Sequence, residues 1–505
     1  MQDADVIIIG SGMGGATMAA QLSPSGRKIL IIERGDHLRP SANDRDDTAI
    51  FANGHFRPDE TWVDGDGQPF NPGNYYNVGG NSKFYGAVLI RYRKEDFSEL
   101  AHLQGSSPAW PITYDEIEPW YARAESIFQV RGENQGDRTE PVHSNAYDFP
   151  PVPDEADIAD LRHRLARAGL TPVSLPLGVD VERWLAHGAT PWDAFPDTCS
   201  GKMDAETIAL QSAMNAANVF LMTNTKVERL EVDAVGAVSG VVVKHADRIE
   251  TLRAPIVVLA AGAVNSAALL LSSRTETYPT GLANRSDQVG RNFMNHNASA
   301  ILAMHPFRKN NAIYQKTLMC NDYYLTDGDK GPPLGNIQLL GKISGTILSA
   351  NTPLPKILAN WIAARSFDFY AMSEDLPDPE SRVTVKNEQI HLSWKRTNWD
   401  AHQMLVQKLK RVLKKAGFPI VLTQSFDKRT PSHQCGTARM GVDPTTSVVD
   451  TYCRSHDHKN LFIADASVLP TSAAVNPALT IAALRRRAAD HSRREECAAG
   501  TRVRL

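Results

Sequence analysis

The chain is poor in cysteine. Five occur among 505 residues (Cys199, Cys320, Cys435, Cys453 and Cys497), odd in number and far apart. No CxxC and no Cys/His cluster appears, which argues against a disulfide framework or a metal site and fits a reducing compartment. An excess of charge is missing too. The 54 basic and 57 acidic side chains give a net charge of −3, without the footprint of a nucleic-acid partner. Nor is there a long apolar run. The opening MQDADVIIIG has no basic region and too short an apolar stretch for a secretory signal. Leu461 to Leu484 comes nearest to a membrane span, but Asp465, Pro470, Asn476 and Pro477 break it into buried strand, loop and helix. Internal repeats and low-complexity tracts are absent. The expectation is a soluble, cytoplasmic protein.

What is present is average. An apolar share of 42 % and a charged share of 22 % exclude a disordered, collagenous or coiled-coil chain. At this length, two or more packed units are expected.

Residues 5 to 9 form a β-branched run, the mark of a strand buried on both faces. Gly10-Ser-Gly12-Met-Gly14-Gly15 follows, then a small-residue helix to Leu22 and a second apolar strand from Lys28 to Ile32, ending in Glu33. Residues 39–72 are polar and rich in Asp, Asn, Gly and Pro, which predicts a long loop with little regular structure. Thr113-x-x-Glu116 is a capping box opening a helix to about Phe128. A further helix is expected from about Asp154 to Ala168, strands through residues 219–260, strand alternation from Arg382 to Trp394, and an amphipathic helix from about Asp400 to Ala416, closed by Gly417. The last helix is expected near Ile481 to Asp490, with Arg485-Arg486-Arg487 as a solvated face. Nucleotide-binding elements thus sit at both ends and in the middle, so the domains interleave.

Gly10, Gly12 and Gly15 have the GxGxxG spacing between a strand and a helix. The first permits the tight turn, the second lets a pyrophosphate approach, and the third lets helix and strand pack closely. Glu33 is placed to accept a ribose hydroxyl and disfavours a 2′-phosphate, so NADP is not expected. The loop alone does not separate FAD from NAD. Near the C-terminus, Ser432-His433-Gln-Cys-Gly436-Thr437-Ala-Arg439-Met440-Gly441 sets a titratable His433 in a glycine-rich stretch. Pro477 suits the first position of a helix and Asn476 its cap.

Together these blocks resemble the glucose–methanol–choline (GMC) flavin oxidoreductases over nearly the whole chain. The resemblance rests on the N-terminal glycines with Glu33-Arg34-Gly35, and on Val78-Gly79-Gly80-Asn81 through Gly86. Further blocks are Trp110 to Glu116, Leu259 to Ser266, Val289 to His296, His433 to Gly441, and Asp465 through Thr480. The tail is most similar to the pyranose oxidase and sugar dehydrogenase branch. The implied fold is α/β: a Rossmann-like FAD-binding domain interleaved with a substrate-binding domain built on an antiparallel sheet with helices. The implied boundaries are 1–40, 73–100, 217–300 and 430–505 for the first domain, and 101–216 and 301–429 for the second. Residues 41–72 would be a loop or lid near the active site.

The resemblance implies FAD, with His433 and Asn476 as the pair at its reactive face. It places Gly79, Gly80, Asn81 and Gly86 along the flavin loop and Val227 near the adenine. Asp465 and Ala466 fall near the ribityl and phosphate groups, with Arg34, Ala261, Pro477 and Thr480 also lining the cofactor. The stretch Asn74-Tyr75-Tyr76-Asn77-Val78 holds no histidine, so non-covalent FAD is expected. The implied reaction oxidises an alcohol of a sugar or glycoside by hydride transfer to flavin N5, with His433 as base. Aminoglycoside-like or other secondary-metabolite alcohols are the alternative substrates, and a non-redox FAD lyase is the alternative chemistry. Oxygen or another acceptor would take the electrons. Glu374 is expected in a solvated turn, and His296 in a cofactor-adjacent loop with a structural role.

Overall fold

The computed structural model describes residues 3–430 and 433–498, with side chains to 491. Ser432 and the side chain of Cys497 therefore lie outside the described residues. Two sheets position the site. The first is parallel and five-stranded, in the order Leu461–Ile463, Ile256–Leu259, Val6–Ile9, Ile29–Ile32, Val219–Met222. Val6–Ile9 lies at its centre and is wholly buried, as its unbroken β-branched run requires. Helix Met13–Leu22 leaves that strand directly.

The second sheet is six-stranded and antiparallel, in the order Ile420–Ser425, Asn297–Met304, Ser366–Ser373, Asn336–Leu339, Leu318–Cys320, Val173–Ser174. Helices Ala156–Ala168 and Trp399–Lys415 cover one face, where Leu161, Leu165, Leu405 and Leu409 pack on Ile301, Ile337, Leu339 and Phe369. Side chains alternate along a strand, so Ile337 and Leu339 turn Asn336 and Gln338 to the opposite face. Gln338 meets the C-terminal segment there.

Three expectations need correction. Residues 39–72 are more than a long loop with little regular structure: Trp62–Asp64 and Pro69–Phe70 form a small hairpin, and the first of these strands pairs with Gln389–Ser393. The pairing is long-range, so local composition does not signal it. The triple arginine is not a solvated face. Arg485 is fully buried and donates to the carbonyl oxygens of Ile463 at 2.5 Å and Asp465 at 3.1 Å, while Arg487 reaches Thr451 O at 2.5 Å. These guanidiniums serve backbone carbonyls beside the parallel sheet, which outweighs their pull toward water. Glu374 is not in a solvated turn either. It is buried at the end of strand Ser366–Ser373, with Oε2 3.1 Å from His102 Nε2.

Candidate active site

Helix Met13–Leu22 begins without a side-chain cap and without an acid in its first turn, leaving its positive end bare. A Cβ on Gly14 would lie 1.5 Å from Ala464 O, so that glycine is demanded by packing alone. Gly12 differs: a Cβ there would meet only Gly79 O, at 4.0 Å. Gly10 and Gly15 close the turn below, each set against its neighbouring backbone.

Glu33 ties this turn to the next loop. Its carboxylate accepts from Ser11 N at 3.1 Å, Ser11 Oγ at 2.7 Å and Gly35 N at 3.0 Å. Ser11 Oγ in turn accepts from Gly79 N at 3.1 Å. Three donors leave the carboxylate room for one more, which suits a ribose hydroxyl. Thr225 N donates to Glu33 O at 2.9 Å, placing the strand that holds Val227 on the same edge. Arg34 stacks on the Tyr76 ring, 3.7 Å from its centre.

Gly79 and Gly80 adopt left-handed conformations facing Gly12, and Asn81 Oδ1 accepts from Tyr75 N at 2.9 Å. Gly86 lies against the Lys316 chain, and the Ala261 N–H donates to Ser266 Oγ at 3.1 Å. Asp465 accepts from Ser266 Oγ, Gly262 N, Ser467 N and Ser467 Oγ at 2.5 to 2.9 Å, so its carboxylate pins the fold, with Ala466 next to it. Thr480 Oγ1 is paired with Tyr121 OH at 2.7 Å. The uncapped helix, the open Gly12 and the acid at the strand tip fit the phosphate and ribose of a dinucleotide such as FAD.

The other end of the site is built by a local pairing. Met294 and Cys435 exchange both backbone hydrogen bonds at 3.0 Å, an antiparallel bridge. That register sets His296, two residues after Met294, opposite His433, two residues before Cys435. Their Nδ1 atoms are 2.7 Å apart. His433 Nε2 lies 3.1 Å from Asn476 Nδ2, and Asn476 Oδ1 accepts from Gln338 Nε2 at 2.7 Å. Asn476 therefore does not cap the last helix. That helix begins at Ala478, and the Pro477 carbonyl accepts from Ile481 N at 2.9 Å, so Pro477 occupies the cap position instead of the first helical one. Gln338 had no signal in the sequence, because only the strand's register brings it here.

Burial holds His433 well below the usual histidine range, helped by the positive charge of Lys316 and, wherever that ring is protonated, of His296. Burial likewise pushes His296 down to about 4, against its hydrogen bond to the Ser472 carbonyl and the charge of Glu374. A base works only when neutral, and a lowered pKa keeps it neutral further into acid. Flavin reduction should hold its rate well below pH 6, where an ordinary imidazole of pKa about 6.5 is mostly protonated. Anaerobic reduction rates measured from about pH 4 to 8 check this, and a limb centred near pH 6.5 would contradict it.

Comparison with known proteins decides the family. The FAD dependent oxidoreductase family matches residues 5–283, over half of the chain, and the GMC oxidoreductase family matches residues 377–484. The chain belongs to the FAD dependent oxidoreductases, and its C-terminal part is similar to the GMC oxidoreductases. Similar proteins span it almost end to end. The 6'''-hydroxyparomomycin C oxidase of Streptomyces lividus is 29 % identical over 95 % of this chain and 89 % of its own. The fructose dehydrogenase large subunit of Gluconobacter japonicus is 26 % identical over 96 % and 97 %. The crystal structure of pyridoxine 4-oxidase from Mesorbium loti shares the fold, with a TM-score of 0.69 at 18 % identity over 97 % of this chain and 99 % of that one. This chain is thus an FAD-dependent oxidoreductase. Among the described residues, no helix is long and apolar enough to cross a membrane, and no cluster suits a metal ion.

Proposed function

We propose that the chain oxidises a hydroxyl of a sugar, glycoside or aminoglycoside to a carbonyl. His433 Nε2 takes the hydroxyl proton, and the Asn476 Nδ2–H donates to the same oxygen and fixes its position. The observation that carries this reading is the His433–Asn476 pair, 3.1 Å apart, with Asn476 held in turn by Gln338. When bound, the flavin supplies the acceptor for the hydride leaving carbon. Asn476 cannot titrate, so it orients while His433 exchanges the proton. Lack of a histidine in residues 74–78 supports non-covalent FAD. In this reading the parallel sheet and its loops hold the cofactor, and the six-stranded sheet, through Gln338, faces the substrate.

The substrate class is supported by the relatives, whose names include a paromomycin-type oxidase, a paromamine oxidase and a fructose dehydrogenase. Monosaccharides, glycosides and aminoglycosides should be tested as donors with a dye acceptor and with air, identifying carbonyl products by mass. Turnover of at least one such donor is the expected result. Turnover of simple aliphatic alcohols alone would overturn the substrate assignment.

A further inference from the structure

His296 is nearly fully buried and has no place in the reaction as described so far. It nevertheless occupies one position in an unbroken series of hydrogen bonds. The Ser472 carbonyl oxygen lies 2.9 Å from His296 Nε2. His296 Nδ1 meets His433 Nδ1 at 2.7 Å, and His433 Nε2 meets Asn476 Nδ2 at 3.1 Å. Gln338 Nε2 closes the series on Asn476 Oδ1 at 2.7 Å.

An imidazole or an amide can turn its hydrogen bonds around, but a carbonyl oxygen only accepts. The direction of the whole series is therefore set at Ser472. His296 Nε2 must carry a hydrogen to reach that carbonyl. A neutral His296 then has a bare Nδ1, which only accepts. His433 must supply the hydrogen between the two rings, from its own Nδ1. A neutral ring protonated at Nδ1 has a lone pair at Nε2, and that lone pair faces the Asn476 amide N–H. The reverse order would need both nitrogens of His296 protonated, a cation without a carboxylate partner in a buried site. Burial outweighs both the Ser472 carbonyl and the charge of Glu374, so His296 stays neutral.

We infer that His296 is a positioning residue: it holds His433 as the Nδ1–H tautomer, so that the bare Nε2 faces Asn476 and the substrate oxygen. This deepens the reading of His433 as base and rests on it. An imidazole in the wrong tautomer offers a hydrogen where a lone pair is needed, a defect that costs up to about 10⁴-fold in a hydrolase triad.

The test uses FAD-bound protein labelled with ¹⁵N-histidine, in which His433→Ala identifies the His433 resonances. In the natural protein, His433 Nε2 should show the shift of a bare nitrogen and Nδ1 that of a protonated one. In His296→Phe the two should average or exchange. Anaerobic flavin reduction should slow by about 10²–10⁴-fold with FAD content unchanged. His296→Asn offers Oδ1 as an acceptor near the position of Nδ1. It should restore the tautomer and at least tenfold of the lost rate, and it serves alone if the Phe variant does not fold. A protonated Nε2 in the natural protein overturns the inference. So does an unchanged tautomer in His296→Phe, or a protonated Nε2 in folded His296→Asn. If His433→Ala itself reduces flavin normally, the base assignment fails instead, which separates the two outcomes.

Discussion

Replacing His433 by alanine should slow anaerobic flavin reduction by about 10²–10⁴-fold, the usual worth of a positioned proton acceptor. The protein should remain yellow. The segments that suit the nucleotide lie elsewhere, at Gly10 to Gly15, Ser11 with Glu33, and the Gly79–Gly80 loop. Removing the imidazole leaves Asn476 held by Gln338 at 2.7 Å, so one hydrogen bond to the substrate oxygen survives while the proton has no acceptor. Loss should therefore fall on the reduction rate more than on substrate affinity. Stopped-flow reduction with saturating donor measures both, and a rate within about threefold of the natural protein would remove His433 from the mechanism.

A second large effect separates two neighbouring glycines. Gly14→Ala forces a methyl to within 1.5 Å of Ala464 O, where only backbone could give way. Helix Met13–Leu22 and the segment after Leu461–Ile463 would have to move apart, and the protein should fail to fold or lose several kcal/mol, about 3 or more by the scale of overpacked cores. Gly12→Ala adds its methyl to open space, 4.0 Å from Gly79 O. That variant should fold with near-normal thermal stability as apoprotein, yet bind FAD at least tenfold more weakly, because the methyl stands where the pyrophosphate approaches. Thermal unfolding and flavin titration of the two variants check this. Equal FAD affinity in Gly12→Ala would move the phosphate site away from this helix.

Local signals in the chain translated well into local structure. Thr113 and Glu116 make both bonds of the capping box, and helix Tyr114–Ile127 follows. Helix Trp399–Lys415 buries the stripe its periodicity marks, and Gly417 ends the segment at φ +87°. The strand, glycine turn, helix and acid of residues 6–33 fall in order because each depends on its own neighbours. Long-range relations were not legible. The facing of His296 and His433 depends on a single backbone bridge between residues 141 apart, Met294 and Cys435. Gln338 reaches Asn476 only because its strand lies third from one edge of a six-stranded sheet. Arg485 and Arg487 read as surface charge because composition does not report which carbonyls are left unpaired nearby. Arg485 is buried against the Leu461–Ile463 strand, and Arg487 against Thr451 and Tyr452.

One measurement tests the central claim most directly: the visible spectrum of the purified protein during anaerobic addition of a donor deuterated at the carbinol carbon, beside its unlabelled form. The account predicts that the flavin absorbance bleaches, that the carbonyl product appears in equal amount, and that deuterium slows the bleaching. Conversion of the donor with the flavin left oxidised would contradict it, and would assign this site to non-redox chemistry on the same fold.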